Sequence, residues 1–462
     1  MTVSEQDTRY ETATAPKGGR WAFIAICLGY FMVIMDATAV NLSLPALGRE
    51  LGGDLGALQW VVDGYTLTFA ALLLTAGVVG DRLGTRDVFA GGLGLFTAAS
   101  VACGLAPSVG VLVGARFVQG IGAAILVPSS LALLRASFPD RAARAKAIGI
   151  WGGIAGVAAA LGPVIGGALT EVLSWRMVFF INLPIGVVAL ALTLRLVVRP
   201  AGQGRLGLDP VAQVSAIGGL GVLTFGMIEA RTRGWTAALV LVAFAVAVLL
   251  CVLFVWAERR SASPMVPPGL FAQRAFTGGN LVGLLINLGF YGQLFVISLY
   301  FQDARHLDAL WAGVALLPMG ISVSFASFLS GRVTARTGTR RTMLIGLAIG
   351  AAGQFGLALT GVHTPYGLLV VPLVAAGFGM AFTMPAATTT VVEAAPARDA
   401  GVASGAINAS RQVGSTVGVA LLGTFAGQVS GAAGGVPFAF AAAGVAFLGA
   451  VLVTAFTVPS RS

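Results

Sequence analysis

Long apolar runs alternate with short polar connectors from residue 21 almost to the end of the chain. Runs of 18 residues or more read as helices that cross a bilayer. Fourteen are predicted, over roughly 21–46, 57–79, 87–106, 111–134, 146–170, 177–198, 210–230, 235–257, 276–302, 309–331, 341–361, 364–390, 399–427 and 436–458. Turn-forming stretches part them, such as "APS" at 106–108, "SFPD" at 137–140, "RPAGQGR" at 199–205 and "SASP" at 261–264. The longest connectors follow the sixth and eighth runs, and neither has room for a sizeable soluble domain.

Composition agrees with the pattern. The chain is 57% hydrophobic and 10% charged, with a mean hydropathy of +0.91, whereas soluble proteins carry about a quarter charged residues. The expected fold is therefore an all-α integral membrane protein. A net charge of +10 would suggest a nucleic-acid partner in a soluble protein. Here the basic residues sit in alternate connectors. With the N-terminus inside, 21 of the 28 Lys and Arg fall on the inner side. Arg49, Arg176, Arg231, Arg233 and Arg305 fall outside, and Arg116 and Arg411 lie within spans. That bias predicts cytoplasmic ends on both sides of an even number of helices. The polar first 20 residues, with three acids, are expected to be a cytoplasmic tail and not a cleaved signal peptide. Cys27, Cys103 and Cys251 lie in apolar runs and read as packing residues. His306 and His363 fall in connectors without a metal-binding spacing, so no metal is expected.

The sequence repeats internally. "GVVGDRLGTR" at 77–86 and "GRVTARTGTR" at 331–340 share Gly-x4-Arg-x-Gly-Thr-Arg, 254 residues apart. "GIGAAILVP" at 120–128 and "GFGMAFTMP" at 377–385 share Gly-x-Gly-x5-Pro, 257 apart. Two matches at nearly one displacement pair spans 1–6 with spans 9–14. The expected organisation is a tail (1–20), a six-helix half (21–198), two intercalated helices with their connectors (199–260), a second six-helix half (261–458) and a short end (459–462). Parallel halves of this kind are a transporter architecture, with the site near mid-membrane between them.

Several polar residues stand out inside the spans. Asp36 interrupts "FMVIMDATAVNLSLP" (31–45). A charge at mid-bilayer costs a few kcal/mol, about +2.5–3.5 on insertion scales. Asp36 reads either as a group that alternates between neutral and ionised or as a fixed polar contact. Asp63 lies about six residues into span 2 and reads as a proton or cation acceptor on the outer side, or as a solvated interfacial acid. Arg116 shares a helix face with Gln119 and Gly120 and needs an acidic or carbonyl partner. Its guanidinium would favour the ionised form of a neighbouring carboxylate. Span 13 carries a polar stripe of Asn408, Arg411, Gln412 and Ser415, and span 9 one of Asn280, Asn287, Tyr291 and Ser298. Such stripes are interhelical glue or cavity lining. Asn41, Gln119, Asn287, Tyr291, Asn408 and Arg411 are the candidate cavity residues. Span 5 is rich in Gly, with Gly162, Pro163, Gly166 and Gly167 placed to form a close, bendable seam.

These stretches together resemble the fourteen-helix drug:proton antiporter group of the major facilitator superfamily. "DATAVNLSLP" (36–45) is similar to its first-helix signature, and "RFVQGIGAA" (116–124) to its helix-4 motif. "GVVGDRLGTR" resembles the loop 2–3 motif, with Gly80 replacing a common Ala. "GPVIGG" (162–167) resembles the helix-5 antiporter motif, with Gly149 upstream and Ala158 where Gly is usual. "WRMVFFINLPIG" (175–186) and "GVASGAINASRQVGSTVG" (401–418) also match the group. "WVVDGYTL" (60–67) is similar to a subset that includes quaternary-ammonium and methylenomycin-type exporters.

The resemblance implies proton coupling through Asp36, Arg116 and Asp63. It implies gating by Gly77, Asp81, Arg82, Gly84 and Arg86, where Asp81 reads as a cap on a neighbouring helix's N-terminus or as the partner of an Arg across the seam, a latch of the outward-open state. It implies antiport through Gly162, Pro163, Gly166 and Gly167. The implied function is export of small amphipathic drugs or antibiotics across the cytoplasmic membrane by a monomer. The proton gradient would be its energy source, with no cofactor and no enzymatic reaction. No nucleotide-binding P-loop is present in the sequence. A nutrient symporter or facilitator of the same fold is the alternative. A membrane sensor or enzyme lacks a nucleophile–base pair or a signalling domain.

Overall fold

The computed structural model describes residues 19–138, 141–197, 210–261, 267–361, 363–396, 400–427 and 435–460. The described residues form helices and connectors. The first six rods are α1 (Gly19–Leu51), α2 (Leu55–Leu83), α3 (Thr85–Gly104), α4 (Val109–Ser137), α5 (Arg141–Val172), and the broken pair α6 (Met177–Phe180) and α7 (Asn182–Leu196). A hairpin follows, α8 (Pro210–Arg233) and α9 (Ala238–Arg260). The last six rods are α10 (Arg274–Leu299), the broken pair α11 (Ala309–Ala315) and α12 (Leu317–Thr337), α13 (Thr339–Ala358), α14 (Tyr366–Ala394), α15 (Ala400–Gly427) and α16 (Val436–Thr457). Twelve of these fourteen rods are long and apolar enough to cross a membrane. That count is of the described residues; the other two, α2 and α15, match them in length.

Local chemistry sets the ends. Asp54 caps α2 by accepting from the Ala57 amide at 2.8 Å, and Asp308 caps α11 by accepting from Trp311 at 2.7 Å. The breaks in rods six and ten fall at Ile181 and Leu316, just ahead of Pro184 and Pro318, whose rings leave carbonyls one turn back without a donor. Gly84 joins α2 to α3 at φ 95°, and Gly338 joins α12 to α13 at φ 84°. Both are left-handed turns that favour glycine, and they are the same position of the sequence repeat.

The repeat extends to packing. In the first half α1 lies on α5 and α7, α2 on α4, and α3 on α4 and α7. In the second, α10 lies on α15 and α16, α12 on α14, and α13 on α14 and α16. Arg86 donates to the last carbonyls of α7, Leu194 O and Thr193 O. Its repeat partner Arg340 donates to Ala455 O of α16 at 2.8 Å. Each arginine thus donates to carbonyls in the last turn of a helix, where positive charge is favourable. Arg86 works within its own half and does not latch one half to the other.

The hairpin is inserted unequally. α8 packs on α2 and α15, one helix from each half. α9 turns Leu241, Val242, Val248, Leu249 and Val252 outward, the surface that lipid would cover.

The halves meet in two seams, α5 with α11–α12 and α2 with α15. Alternation of fourteen rods puts both chain ends on one face. The opposite face, which carries Gly52, is termed the far face. Contacts between halves concentrate toward it. Gln302 donates to Leu42 O at 3.1 Å, and the Ala309 amide donates to Glu171 Oε2 at 3.3 Å. Gln59 Nε2 donates to Ala420 O at 3.0 Å and Val419 O at 3.3 Å. Going the other way, a side chain on Gly156 would reach Ser324 only at 3.6 Å, and one on Gly152 or Gly153 would meet nothing within 4 Å. Among the described residues, the halves are closed at the far face and make fewer contacts toward the face of the chain ends.

Candidate functional site

Asp36 is not a solitary acid. It is fully buried inside the first half, where Arg116 Nη1 donates to its Oδ2 as an ion pair. Its Oδ1 accepts from Gln119 Nε2 and from Asn182 Nδ2, both at 3.0 Å. The amides of Gln119 and Asn182 also reach Ser100 Oγ at 3.2 and 2.9 Å, and Ser100 in turn donates to Phe179 O at 2.9 Å. Arg116 completes its fork through Nε to Val61 O at 2.9 Å and Nη1 to Gln119 Oε1 at 2.8 Å. Five rods (α1, α2, α3, α4 and α7) contribute to this network. A buried pair persists only when its remaining donors and acceptors are met, and this geometry gives partners to both carboxylate oxygens of Asp36 and to Nε and Nη1 of Arg116.

The spacing of Arg116 and Gln119 places both on the α4 face that looks at α1. Gln119 is therefore a ligand of Asp36 and does not line the cavity, contrary to the sequence expectation. Ser100, Asn182 and Tyr65 escaped the sequence reading. The available signal was a lone polar residue inside an apolar run, most visibly Asn182 in "FFINLP".

Tyr65 separates the ion pair from the space between the halves. Arg116 lies 4.2 Å from the centroid of its ring, a cation–π distance. Its hydroxyl donates to Val33 O at 3.1 Å. The same side chain lines a narrow interhelical cleft with a cavity volume of about 20 Å³, room for about one water. Val33, Ala37 and Asn41 of α1, Val62 and Thr66 of α2, Tyr291 of α10, and Gln412 and Ser415 of α15 line it as well. Its walls, mostly apolar with a few polar groups, match an amphipathic molecule in chemistry, and the halves must part further to admit one.

Asn41 and Tyr291 lie in this cleft as expected. Asn41 donates to Ala37 O at 3.2 Å and leaves its own carbonyl oxygen unpartnered. Asn287 does not lie in it. Its amide donates to Gly283 O at 2.8 Å and approaches Met384 Sδ at 3.6 Å, inside the second half. Asn408 and Arg411 are half-buried on α15. They join through Arg411 Nη1 and Asn408 Oδ1 at 3.2 Å, and Arg411 lies within electrostatic range of the Tyr30 and Tyr291 hydroxyls.

Asp63 is fully buried, and the donor beside its carboxyl group is the Thr66 hydroxyl, which turns mainly to the backbone. It is not an interfacial, solvated acid.

The glycine motif of α5 divides between two neighbours. Gly162 and Gly166 press on Thr38 and Ala39 of α1, within the first half. Gly167 presses on the Ala309 backbone, and Gly313 of α11 presses on the Pro163 backbone. Gly167, Gly313 and Pro163 thus make the seam between halves, while Gly162 and Gly166 fix α1. The helix passes Pro163 without a break. The side-chain environments of Gly77, Asp81 and Arg82 lie outside the described residues.

With this geometry in place, comparison with known proteins is informative. The sequence profile of the Major Facilitator Superfamily matches residues 26–419. The methylenomycin A resistance protein of Streptomyces coelicolor is 37% identical, over 95% of this chain and 93% of its own. The multidrug resistance protein Stp of Mycobacterium tuberculosis is also 37% identical, over 87% of this chain and 74% of its own. Among solved structures, a bacterial homologue of the human lysosomal transporter Spinster, inward-facing and unoccupied, superposes with a TM-score of 0.65 at 16% identity, over 96% of each chain. At that identity the likeness is one of fold.

Proposed function

The chain belongs to the Major Facilitator Superfamily, and on that premise we propose that it exports small amphipathic drugs or antibiotics by alternating access, in exchange for protons. The relatives it matches along most of their length are resistance proteins, which favours export over import of a metabolite. One structural observation supports proton coupling. A buried carboxylate–guanidinium pair stands behind Tyr65, a single side chain away from the cleft.

With both ends cytoplasmic, as the charge bias argues, the state described here opens inward. A drug enters the cleft against Tyr65, Asn41 and Tyr291. Asp36 and Arg116 hold one another in this state. A proton delivered to Asp36 in the outward-open state removes the carboxylate charge and frees Arg116. Loss of that proton inside restores the pair. Tyr65 lies between the two events, so a drug that displaces its ring also disturbs the guanidinium beneath it. A membrane potential of 100 mV adds about 2.3 kcal/mol for each charge moved. The halves and the cleft come from one chain, so a monomer in the cytoplasmic membrane suffices.

Inverted membrane vesicles carrying this chain test the reading. Added substrate, chosen from cationic dyes and antibiotics by comparing an overexpressing strain with a deletion strain, is expected to collapse an imposed ΔpH. Substrate movement with no change in ΔpH contradicts coupling, and no change in resistance to any compound contradicts export.

A further inference from the structure

The two copies of the repeated turn share a shape and differ in charge. The first, "GDRLGTRD" (80–87), carries Asp81 and Asp87 against Arg82 and Arg86, a net charge of zero. The second, "TARTGTRR" (334–341), keeps Arg336 and Arg340 and has Ala335 and Arg341 where the first has its acids, a net charge of +3. Each copy turns at a left-handed glycine and starts a helix, α3 or α13, that has no side-chain cap. The first-turn amides of such a helix lack an acceptor and favour an anion. In α3 that turn holds its own acid, Asp87, 3.6 Å from Arg86. In α13 the same place holds Arg341, so positive charge stands where negative charge is favoured.

A cavity of about 830 Å³ lies at this second turn. Thr334, Arg336, Thr339, Arg340 and Arg341 line it from the turn, and Thr389 and Glu393 line it from α14. Pro459 and Ser460, which follow α16, line it too, so it lies at the face of the chain ends. Two polar atoms of its walls, Arg340 Nε and Thr334 Oγ1, are buried without a partner. Arg340 donates through Nη2 to Ala455 O. Its counterpart Arg86 also uses Nε, toward Thr193 O, whereas Arg340 Nε has no acceptor. Buried polar atoms are almost always paired. Arg336 and Arg341 are exposed, and neither is ion-paired, to Glu393 or to another acid, among the described residues.

Three guanidinium groups, a hydroxyl and an uncapped helix start thus surround one cavity, against a single carboxylate. That donor set matches the oxygens of a phosphate. Guanidinium forks pair with phosphate oxygens two at a time, and helix N-termini bind them through amides. The volume falls in the range of small-molecule sites, about 300–1,000 Å³. Beside it, α12 presents Ile321, Phe325 and Phe328, each at least 60% exposed, with the Arg332 guanidinium 4.1 Å from the centre of the Phe328 ring. A basic pocket between membrane helices, next to an exposed apolar strip, suits a lipid headgroup with its chains alongside.

We propose that the α12–α13 turn is a phosphate-binding site, filled by the phosphate of an anionic lipid headgroup or by a soluble phosphate. The ligand supplies the negative charge that the first copy carries as Asp81 and Asp87. The site belongs to the second half alone and goes beyond the transport reading.

Native mass spectrometry of the purified full-length chain in a maltoside detergent tests it, with phosphatidylglycerol or phosphatidylcholine added at equal concentration. One phosphatidylglycerol is expected to stay bound where phosphatidylcholine does not. Arg341→Asp, which restores the acid of the first copy, is expected to weaken that binding roughly tenfold or more, without lowering the unfolding temperature of the lipid-free chain. Glu393→Gln is expected to bind more tightly, and weaker binding would overturn an anion as the ligand. Arg332→Gln removes a charge outside the cavity and is expected to bind as the wild type does. Inorganic phosphate, titrated against chloride at constant ionic strength, separates the sources. A rise in unfolding temperature that Arg341→Asp abolishes, with no preference between lipids, supports the site with a soluble phosphate. Lipid preference without a phosphate effect supports it with a headgroup. Equal lipid retention by wild type and Arg341→Asp, with no phosphate effect in either, overturns the site. Equal losses in Arg332→Gln and Arg341→Asp mean adsorption to surface charge and overturn it too. If Arg341→Asp does not fold, the Arg336→Gln, Arg341→Gln double variant decides in its place.

Discussion

In the first half, α1, α3 and α4 meet around an ion pair; in the second, their counterparts α10 and α13 meet around two amides. Gln354 Nε2 donates to Gln293 Oε1 at 2.6 Å, and Gln293 approaches Met319 Sδ at 3.7 Å. Gln354 stands 254 residues from Ser100, at its repeat position. Leu373 and Ala376 stand 257 residues from Arg116 and Gln119. The packing is duplicated, down to the helix-capping Arg86 and Arg340, and the charge is not. A shared scaffold with one charged core teaches that packing and coupling are separable demands on this fold. The second half shows what the scaffold needs, and the first adds what a proton can act on.

The largest expected effect breaks the charged core. Asp36→Asn leaves Arg116 buried without its counter-ion, a change worth about 3–5 kcal/mol. Thermal unfolding in detergent is expected to shift down, and resistance in cells to disappear. Adding Arg116→Gln is expected to recover most of the stability and none of the pumping. Recovery of both would make the ion pair a structural clamp, like its neutral counterpart.

A smaller effect is expected at the α5–α11 seam. Gly313→Val forces a side chain against the Pro163 backbone. Overpacking of this kind costs about 1–3 kcal/mol, so the far-face-closed population is expected to fall roughly tenfold or more. Gly162→Val, which presses on Thr38 within one half, is expected to lower stability and leave the balance of states unchanged. A distance between spin labels at Pro107 and His363, exposed on opposite halves at the far face, separates the two.

The second half offers the contrasting experiment. Replacing both Gln293 and Gln354 by Leu removes a donor together with its acceptor, a change that is often nearly neutral. Transport is expected to persist, with stability altered by less than about 1 kcal/mol. Gln354→Leu alone strands Gln293 and is expected to cost about 1–3 kcal/mol. The smallest effect is expected from Arg86→Ala and Arg340→Ala. Each loses one helix-end interaction worth about 0.3–1 kcal/mol, and the two are expected to match. Unequal losses would mean that Arg86 does more than cap α7.

The duplicated scaffold was legible in the sequence because apolar run length and the Gly-Thr-Arg repeat are local properties. Gly84 and Gly338, predicted as one repeated position, adopt the same left-handed turn. Asp36 and Arg116 were each conspicuous as charges inside apolar runs. Their meeting was not legible, because 80 residues and three helix crossings separate them. Gln119 and Asn287 were misplaced for a related reason. Helical spacing shows which residues share a face, but it does not say whether that face looks into its own half or into the cleft.

The most direct test of the charged first half measures protons and drug together. Wild-type chain and the Asp36→Asn, Arg116→Gln double variant are reconstituted into liposomes that enclose a pH-sensitive dye, and a transported compound is applied with an imposed ΔpH. The wild type is expected to accumulate the compound while protons flow the other way. The double variant is expected to pass it only down its own gradient, with the internal pH unmoved. Proton exchange at the wild-type ratio by the double variant would contradict the assignment of coupling to Asp36 and Arg116.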